Sequence, residues 1–555
     1  MGRPSSPPGR SAGATRRTFL RQSGSAAALA AALPLASAAS DKPLFQHGVA
    51  SGDPLADRVI LWTRITPASP RRAVEVRWEM AADAALARPV ARGVVRTDAS
   101  RDHTVKVDVT GLRPGATYYY RFICEGVASP IGRTRTLPVG ATARVRIAVA
   151  SCSNHAAGYF NAYRRIAERA DLDLVLHLGD YLYEYGPNEF GSLREPDPPH
   201  EMVVLSDYRR RHAQYKSDPD LQELHRQHPV IAIWDDHEIT NDAWRDGAQN
   251  HTEGAEGSWP ARVLQGLQAY YEWMPVRQPD PAQPRRNQRA FRVGDLIDLV
   301  MLEERLGARS QQLPTTVPTP FGNGFVQAGA FADPARTLLG SEQEAWLAQR
   351  LRTSDARWKF VGQGVMFAQL KLQGAPLAAG GGVFLNSDQW DGYQPARDRV
   401  YAVLEGDATQ APVSDVVILT GDIHSSWAAD LSRDPNNPVV AAGGYDPATG
   451  LGSRAVEFVG TSITSPGVTD QGNQIAALLR SINPHFKFID LNRRGYMLLD
   501  VTRERVVCEW WYVETVQVPS PLQTFGAAFE VRHGTNRLQP SAQTQPPSSA
   551  PPLAP

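Results

Sequence analysis

Residues 144–180 read RVRIAVASCSNHAAGYFNAYRRIAERADLDLVLHLGD, and this stretch decides which fold we expect. Residues 144–150 form an apolar strand that ends in polar side chains. Residues 158–170 carry apolar side chains at helical spacing, and residues 173–178 form a second strand that ends at Gly179-Asp180. Strand, helix and strand in this order make a βαβ unit, so the sequence predicts an α/β fold with parallel strands.

Two further apolar segments end in the same polar fashion. Residues 230–234 run into Asp235-Asp236-His237-Glu238, and residues 416–420 run into Gly421-Asp422-Ile423-His424. Ligand sites in such folds lie at the carboxyl ends of strands. We therefore expect these strand ends to bring together one set of metal-binding side chains: Cys152; Asp180 with Tyr183; Asp236 with His237; and Asp422 with His424.

Taken singly, each of these groups has an ordinary explanation. A cysteine after a strand is usually packed in the core, Gly-Asp-Tyr is a common turn, and Asp-Asp-His-Glu can cap a helix. Taken together, several carboxylates at close range would repel one another and lose their hydration. Bound cations remove both penalties, so the full set predicts a metal centre.

The first forty residues are predicted to be a signal sequence. Residues 15–21 read TRRTFLR and precede an alanine-rich run that ends with the small residues 36–38, ASA. The paired arginines resemble a twin-arginine leader. A basic tail or a membrane anchor is the alternative, but the run is too short to span a bilayer. We expect export by the twin-arginine machinery to the periplasm or the medium, and no membrane span.

Charge and cysteine content exclude other classes. The chain has 58 basic and 58 acidic residues, and residues 1–40 contain five arginines and no acid. The remainder is mildly acidic, which argues against a protein that binds polyanions through a basic surface. The cysteines are Cys124, Cys152 and Cys508, so at most one disulfide forms. Whether Cys124 and Cys508 pair stays open.

Composition divides the rest of the chain. Residues 41–140 show short alternating strands, and residues 111–118, GLRPGATY, resemble the tyrosine corner of fibronectin-type sandwiches. Residues 141–535 carry the α/β pattern. Residues 536–555 are rich in Pro, Ser and Gln, and we expect this tail to be disordered. The loops 186–206 and 306–335, with the segment from about Val513, are expected to control access to the site.

The order of the strand-end motifs resembles that of the binuclear metallophosphatases, which runs Asp-x-His, Gly-Asp-x-x-Asp, Gly-Asn-His-Glu and Gly-His-x-His. Gly179-Asp180-Tyr181-Leu182-Tyr183 is similar to the Gly-Asp-x-x-Tyr variant of purple acid phosphatases. Cys152 stands in the first motif, Asp236 and His237 stand in the third, and Asp422 and His424 in the fourth.

This substituted pattern resembles the alkaline phosphatase D (PhoD-like) family of phosphatases and phosphodiesterases. The resemblance covers nearly the whole mature chain and includes VMF at 365–367, WDGY at 390–393, NPH at 483–485 and RRGY at 493–496. Glu303-Glu304-Arg305 stands where the family has Asp-Thr-Arg. The family implies a four-layer sandwich of two mixed β-sheets flanked by helices, preceded by a fibronectin-type III-like all-β domain.

The resemblance also implies a reaction and a site. The reaction is hydrolysis of phosphate mono- or diesters by a hydroxide that two metals activate, in a protein expected to be a monomer. A thiolate and a tyrosinate suit Fe³⁺, and a set of oxygen ligands suits Ca²⁺. The implied residues are Cys152, Asp180, Tyr183 and His424 for iron, Asp180, Asp236 and Asp422 for calcium, His237 as general acid, and Asn241, Asp388 and Asp391 for a further calcium. A non-catalytic secreted binding protein on a relic phosphatase fold is the alternative.

Overall fold

Helices and strands alternate from residue 144 onward, as the opening stretch predicts. The computed structural model describes residues 43–69 and 72–555, so the signal sequence predicted at residues 1–40 lies outside the described residues. Within the described part of the chain, no helix has the length and apolar character needed to cross a bilayer. The helices are α1 (Asn161–Ala167), α2 (Leu205–Lys216), α3 (Pro219–Gln227), α4 (Trp259–Trp273), α5 (Gly340–Thr353), α6 (Gln394–Glu405) and α7 (Gln474–Ile482).

The strands before residue 140 form the N-terminal region. They are β1 (Val49–Gly52), β2 (Arg58–Arg64), β3 (Val74–Ala81), β4 (Pro89–Thr97), β5 (Thr104–Thr110), β6 (Thr117–Cys124), β7 (Val127–Ala128) and β8 (Gly132–Arg135). The sheet β4-β3-β6-β7, to which β8 is added beside β6, packs on β1, β2 and β5. The hydroxyl of Tyr118 accepts the backbone N–H of Arg113 over 2.9 Å, which is the contact of a tyrosine corner.

The later strands form two large sheets and two short hairpins. They are β9 (Arg144–Ala150), β10 (Leu174–Leu178), β11 (Pro229–Ile233), β12 (Arg289–Val293), β13 (Ile297–Met301), β14 (Val317–Thr319), β15 (Gly322–Gly324), β16 (Trp358–Gln363), β17 (Lys371–Gly374), β18 (Gly382–Phe384), β19 (Val416–Thr420), β20 (Ser426–Leu431), β21 (Ala455–Val459), β22 (Phe486–Asp490), β23 (Gly495–Thr502), β24 (Arg505–Val513), β25 (Gln523–Arg532) and β26 (Leu538–Pro540). The first sheet has the order β26-β25-β24-β23-β9-β10-β11-β1-β2-β5, and the second has the order β12-β13-β16-β19-β21-β20-β22. The strands β9, β10 and β11 are parallel neighbours.

Alternating side chains of these strands fill three hydrophobic layers. On β10, Leu176 points between the two sheets, whereas Val175 points toward α1, α2, α3 and α4. On β19, Leu419 lies between the sheets, whereas Ile418 faces α5, α6 and α7. Helices, sheet, sheet and helices therefore stack in four layers, and the predicted fold class is confirmed.

The N-terminal region is continuous with the first sheet. Strand β1 pairs in parallel with β11, with Ser51 opposite Pro229, and β2 and β5 extend the same sheet. The sequence predicts an all-β domain ending near residue 140, and the strands are all-β as expected. Three of them, β1, β2 and β5, nevertheless belong to a sheet shared with the α/β region. A strand pairs with the sheet edge that it meets in space, whatever its position along the chain.

The tail from residue 536 is ordered, which corrects the expectation of disorder. Its first part forms β26, which pairs with β25. Near its end, Ala554 is buried beside Tyr119, and its backbone exchanges two hydrogen bonds with the side chain of Gln227 at 2.8 and 3.1 Å. Proline lacks a donor but leaves the carbonyls free, so this composition still allows docking.

The cysteine question that the sequence left open is answered. Cys124, Cys152 and Cys508 are all buried free thiols, and none forms a disulfide. Cys508 on β24 has its sulfur 3.5 Å from that of Met497 on β23. Cys124 and Cys508 are therefore core residues, which leaves Cys152 as the thiol at the predicted site.

Candidate metal centre and active site

Side chains from separate strand ends meet at one point. One ligand atom each of Cys152, Asp180 and His424 lies within 4.8 Å of the others. The hydroxyl of Tyr183 joins them, 2.8 Å from Oδ2 of Asp180 and 3.1 Å from Nε2 of His424. The carbonyl of Pro466 lies 2.7 Å from Nδ1 of His424. Because a carbonyl only accepts, Nδ1 carries the proton and Nε2 presents its lone pair to the cluster.

Two overlapping clusters continue from this point. One consists of Asp180, Asp236 and His237, and the other of Asp235, Asp236 and Asp422, each with ligand atoms within 4.8 Å. Asp180 belongs to the cluster that contains the cysteine as well as to the first of these two. The donors therefore form one continuous series that changes from sulfur, phenol and imidazole at one end to carboxylate oxygen at the other.

The backbone at the strand ends adopts an uncommon conformation. The φ angles of Cys152, Asp180, Asp422 and His424 are 60°, 54°, 58° and 55°. These values lie in the left-handed region, which residues other than glycine seldom occupy. Such residues persist where the surroundings hold them, and they concentrate at functional sites. Four of them at strand ends that converge is typical of an active site.

Gly179 lets two of the strand ends approach each other closely. Its φ is 103°, and a Cβ atom at this position would lie 2.5 Å from Cβ of Asp235. The carboxylate of Glu238 then joins the two ends by accepting backbone N–H groups from Asp180 over 3.2 Å, Tyr181 over 2.7 Å and Asp235 over 2.9 Å. Glu238 therefore shapes the site without lining its pocket.

His237 is held by a second buried acid. Its Nδ1 lies 2.7 Å from Oε2 of Glu184, whose Oε1 accepts the backbone N–H of Asn241 over 2.7 Å. Burial lowers the pKa of His237, but Glu184 and the neighbouring aspartates outweigh burial and raise this pKa well above its usual range. Because Glu184 occupies Nδ1, Nε2 is the ring nitrogen left to the pocket.

The protonation of the donors depends on a positive charge. Burial raises the pKa values of Cys152, Asp180, Tyr183 and Asp422 well above their usual ranges. A bound cation favours the ionised forms and reverses such shifts. Oδ1 of Asp180 is buried and has no hydrogen-bond partner among the described residues, as expected of an oxygen that binds a metal. The residues present therefore fit a metal centre.

Arg305 lies beneath the acid-rich end of the site and is fully buried. Its guanidinium contacts Asp235 and lies 2.9 Å from Asp388 and 3.1 Å from Asp422. Together with His237, this cation keeps the pKa of Asp236 below its usual value in spite of burial. Arg305 therefore orients the carboxylates that the sequence predicts as calcium ligands.

The site opens into a pocket of about 310 Å³. The pocket includes residues from both loops expected to control access, 186–206 and 306–335, but none from Val513 onward. Hollows of about 750 and 670 Å³ elsewhere contain none of the predicted ligands. The pocket is lined by Asp180, Tyr185, Phe190, Asp236, His237, Asn241, Asp242, Gln312, Asn386, Ser387, Asp388, Asp422 and His424.

The residues considered for a further calcium separate in the structure. Asn241 and Asp388 line the pocket. Asp391 does not, because its carboxylate is buried 2.6 Å from Arg397 and accepts the backbone N–H of Leu370 over 2.8 Å. The structure thus removes Asp391 from the site, since its carboxylate lies outside the pocket lining and is bound by Arg397 and by the backbone of Leu370.

Sequence reasoning missed three contributors to the site. Asp235 directly precedes Asp236, and Glu184 directly follows Tyr183, so an acid next to a predicted ligand was the available signal. The signal for Arg305 was its place in Glu303-Glu304-Arg305, which stands where the family has Asp-Thr-Arg. Its contact with Asp235 carries no sequence signal, because the packing of the two sheets brings these residues together.

Comparisons with known proteins agree with this geometry. The chain matches the family model "PhoD-like phosphatase" over residues 147–510 and the model "PhoD-like phosphatase, N-terminal domain" over residues 28–138. Alkaline phosphatase D of Bacillus subtilis (strain 168) is 35% identical to it, over 95% of this chain and 89% of that protein. A solved structure of PhoD is 34% identical and superposes with a TM-score of 0.80, over 92% of this chain and 94% of that one.

The match extends through both regions of the chain and rests on sequence and on fold. It confirms the resemblance that the strand-end motifs indicated. The chain belongs to the PhoD-like phosphatase family and is a phosphoric ester hydrolase of that family.

Proposed function

We propose that this chain is a secreted alkaline phosphatase or phosphodiesterase that hydrolyses phosphate esters at a centre for Fe³⁺ and Ca²⁺. One observation carries the proposal: three overlapping clusters of metal-binding side chains form a continuous series beside a single pocket. A pocket walled by carboxylates alone would repel a phosphate ester. Cations bound by those carboxylates turn the same pocket into a site for an anion.

The donor types support one metal at each end of the series. Cys152, Tyr183 and His424 offer sulfur, phenol and imidazole, which suit iron, and Asp180 shares an oxygen with them. Asp236 and Asp422 offer the oxygen ligands that calcium prefers, and Asp180, which clusters with Asp236, would add a further carboxylate. Asn241 and Asp388, on the pocket wall, would hold a further calcium.

When bound, the two cations supply Lewis-acid chemistry, lowering the pKa of water and neutralising phosphate charge. The chain's own residues complete the reaction. Glu184 holds His237 through Nδ1, so Nε2 is positioned to give a proton to the leaving alcohol as its bond to phosphorus breaks. The buried carboxylate of Glu184 raises the pKa of His237 and so favours the protonated imidazole, which is the form that a general acid requires.

Export belongs to the same proposal. The twin-arginine pathway carries folded proteins, so a chain could bind its metals before it leaves the cytoplasm. Replacing Arg16 and Arg17 by lysine should leave the protein in the cytoplasmic fraction, whereas the unchanged chain should appear outside it. Equal distribution of both chains would contradict export by this route.

The central test combines metal content with turnover. Exported protein should contain iron and calcium by elemental analysis and should release alcohol from phosphate esters. We expect His237→Ala to reduce hydrolysis by about 10²- to 10⁴-fold while the metals remain bound. Protein that contains neither metal and hydrolyses no ester would refute the proposal. Unchanged turnover in His237→Ala would remove the proposed general acid.

A further inference from the structure

One wall of the active-site pocket is aromatic. The ring of Phe190 lies 6.5 Å from the ring of His237 at an interplanar angle of 15°, and 6.0 Å from that of His424. Tyr185 lies 5.4 Å from both Phe190 and His237. Phe190 and Tyr185 line the pocket and are only partly buried. A flat apolar surface therefore stands beside the imidazole proposed as general acid.

The core of the protein does not account for this wall. Neither Phe190 nor Tyr185 belongs to a hydrophobic core cluster of the described residues. The ring contacts of Phe190 are with Tyr183, Tyr185, His237 and His424, all of them at the site. An aromatic ring that is partly exposed and whose aromatic neighbours are all site residues is placed to meet a ligand.

The segment that carries the wall is fixed in position. Gly191, next to Phe190, packs so tightly that a Cβ atom would lie 2.8 Å from the backbone of Ala156. The backbone N–H of Leu193 donates to the carbonyl of Ala156 over 2.8 Å. The buried side chain of Arg211 donates to the backbone carbonyls of Tyr183, Tyr185, Asp197, Pro198 and His200. The ring is therefore presented before a ligand arrives, which reduces the entropic cost of binding.

The rest of the pocket indicates what the wall would accept. The lining includes five carboxylates and no lysine or arginine. Bound metals would account for the phosphate group. A second anionic group on the leaving alcohol would then face carboxylates with no lysine or arginine in the lining to balance its charge. An uncharged ring would instead contact the aromatic wall and displace water from it.

We propose that Phe190, backed by Tyr185, is a specificity-determining residue that stacks on a planar, uncharged ring of the leaving alcohol. Phosphate esters with such a ring one or two bonds from the ester oxygen are then preferred over esters of small alkyl alcohols. The inference rests on the proposed function, because it assigns the leaving-group side of the same site.

The test uses binding, so that the reactivity of different leaving groups does not enter. Benzylphosphonate and ethylphosphonate resist hydrolysis and differ in the ring. Their dissociation constants would be measured by calorimetry on metal-loaded wild type, Phe190→Leu and Phe190→Ala. Phe525→Ala is the matched control, because Phe525 is also a partly exposed ring but lies on β25, outside the pocket lining.

We expect wild type to bind benzylphosphonate more tightly than ethylphosphonate. Phe190→Ala should lose about 3- to 10-fold of that preference with the affinity for ethylphosphonate unchanged, as expected for one aromatic contact. Phe190→Leu should lose part of the preference, and Phe525→Ala none.

The outcomes separate this inference from the proposed function. Equal weakening of both phosphonates in Phe190→Ala would show that the ring only supports His237, which overturns the inference alone. An unchanged preference in Phe190→Ala overturns it as well. Wild-type protein that binds neither phosphonate would overturn the proposed function and this inference with it.

Discussion

Nδ1 of His237 lies 2.7 Å from Oε2 of Glu184, and both side chains are buried. The same carboxylate accepts the N–H of Asn241, so its position is set by the backbone that follows the histidine. A buried acid held in this way selects the tautomer of the imidazole and stabilises its protonated form. The pair therefore determines both the orientation and the charge of the proposed general acid.

Glu184→Gln should weaken this general acid while it preserves the shape of the site. We expect kcat/KM to fall by about 10- to 100-fold for alkyl phosphate esters, and by less for a nitrophenyl ester, whose leaving group needs little protonation. The pKa of His237 falls without the carboxylate, so the loss of activity at alkaline pH should begin at lower pH. Profiles of kcat/KM against pH for both esters would measure this.

The control for this pair is Glu189→Gln, since Glu189 is an exposed acid in the same loop and accepts the N–H of Gly186 over 2.8 Å. It should leave both profiles unchanged. An equal loss for the two esters in Glu184→Gln would contradict a role in protonating the leaving group.

Cys152→Ser should remove iron selectively. A thiolate is a strong ligand of iron, and a hydroxyl at this buried position is not. We expect the iron content and any thiolate-to-iron absorption band to drop sharply, with calcium retained at the carboxylate end. Cys508→Ser is the matched control, since Cys508 is equally buried but packs beside Met497. Retention of iron in Cys152→Ser would exclude the sulfur as a ligand.

Arg211→Met should loosen the segment from Tyr183 to His200. The change leaves the buried carbonyls of Tyr183 and Pro198, and three partly buried ones, without this donor, which should lower the free energy of unfolding by on the order of 3 kcal/mol. Urea unfolding would measure the loss, and limited proteolysis should cleave this segment faster. The neighbouring Arg210→Met is the control, because that side chain is 50% exposed and its salt bridge is to the exposed Asp197. Similar effects of both variants would refute the role of Arg211.

Glu304→Gln should change how stability depends on pH. Burial, with a smaller contribution from Asp235, raises the pKa of Glu304 to about 8 from its ordinary 4.5. Between these values the unfolded chain has released the proton that the folded chain keeps, so wild-type stability falls as pH rises. Because Gln cannot titrate, the variant should avoid this loss, which is on the order of 2–4 kcal/mol in the free energy of unfolding.

The measurement is the unfolding free energy of chelator-treated protein at pH 5 and pH 8. From pH 5 to pH 8, the free energy of unfolding should fall less in the variant than in wild type. Parallel losses in both proteins would show that Glu304 ionises normally in the folded state.

The local spacing of apolar and polar residues was sufficient to predict the layers of the fold and most of the site residues. The period of the apolar residues distinguishes β10 from α1, and the carboxyl ends of parallel strands meet at one edge of a sheet. Cys152, Asp180 and His424 could therefore be predicted to converge from strand ends alone.

Contacts between residues that are far apart in the sequence leave no periodic pattern, so they could be identified only in the folded structure. Arg305 reaches Asp235 only because two sheets pack face to face, and Asp391 leaves the site because Arg397 is beside it. The proline-rich tail docks because Gln227 offers a donor and an acceptor to Ala554. Chemistry at strand ends follows from residue type and period, whereas the choice of a partner across the fold depends on which surfaces become buried together.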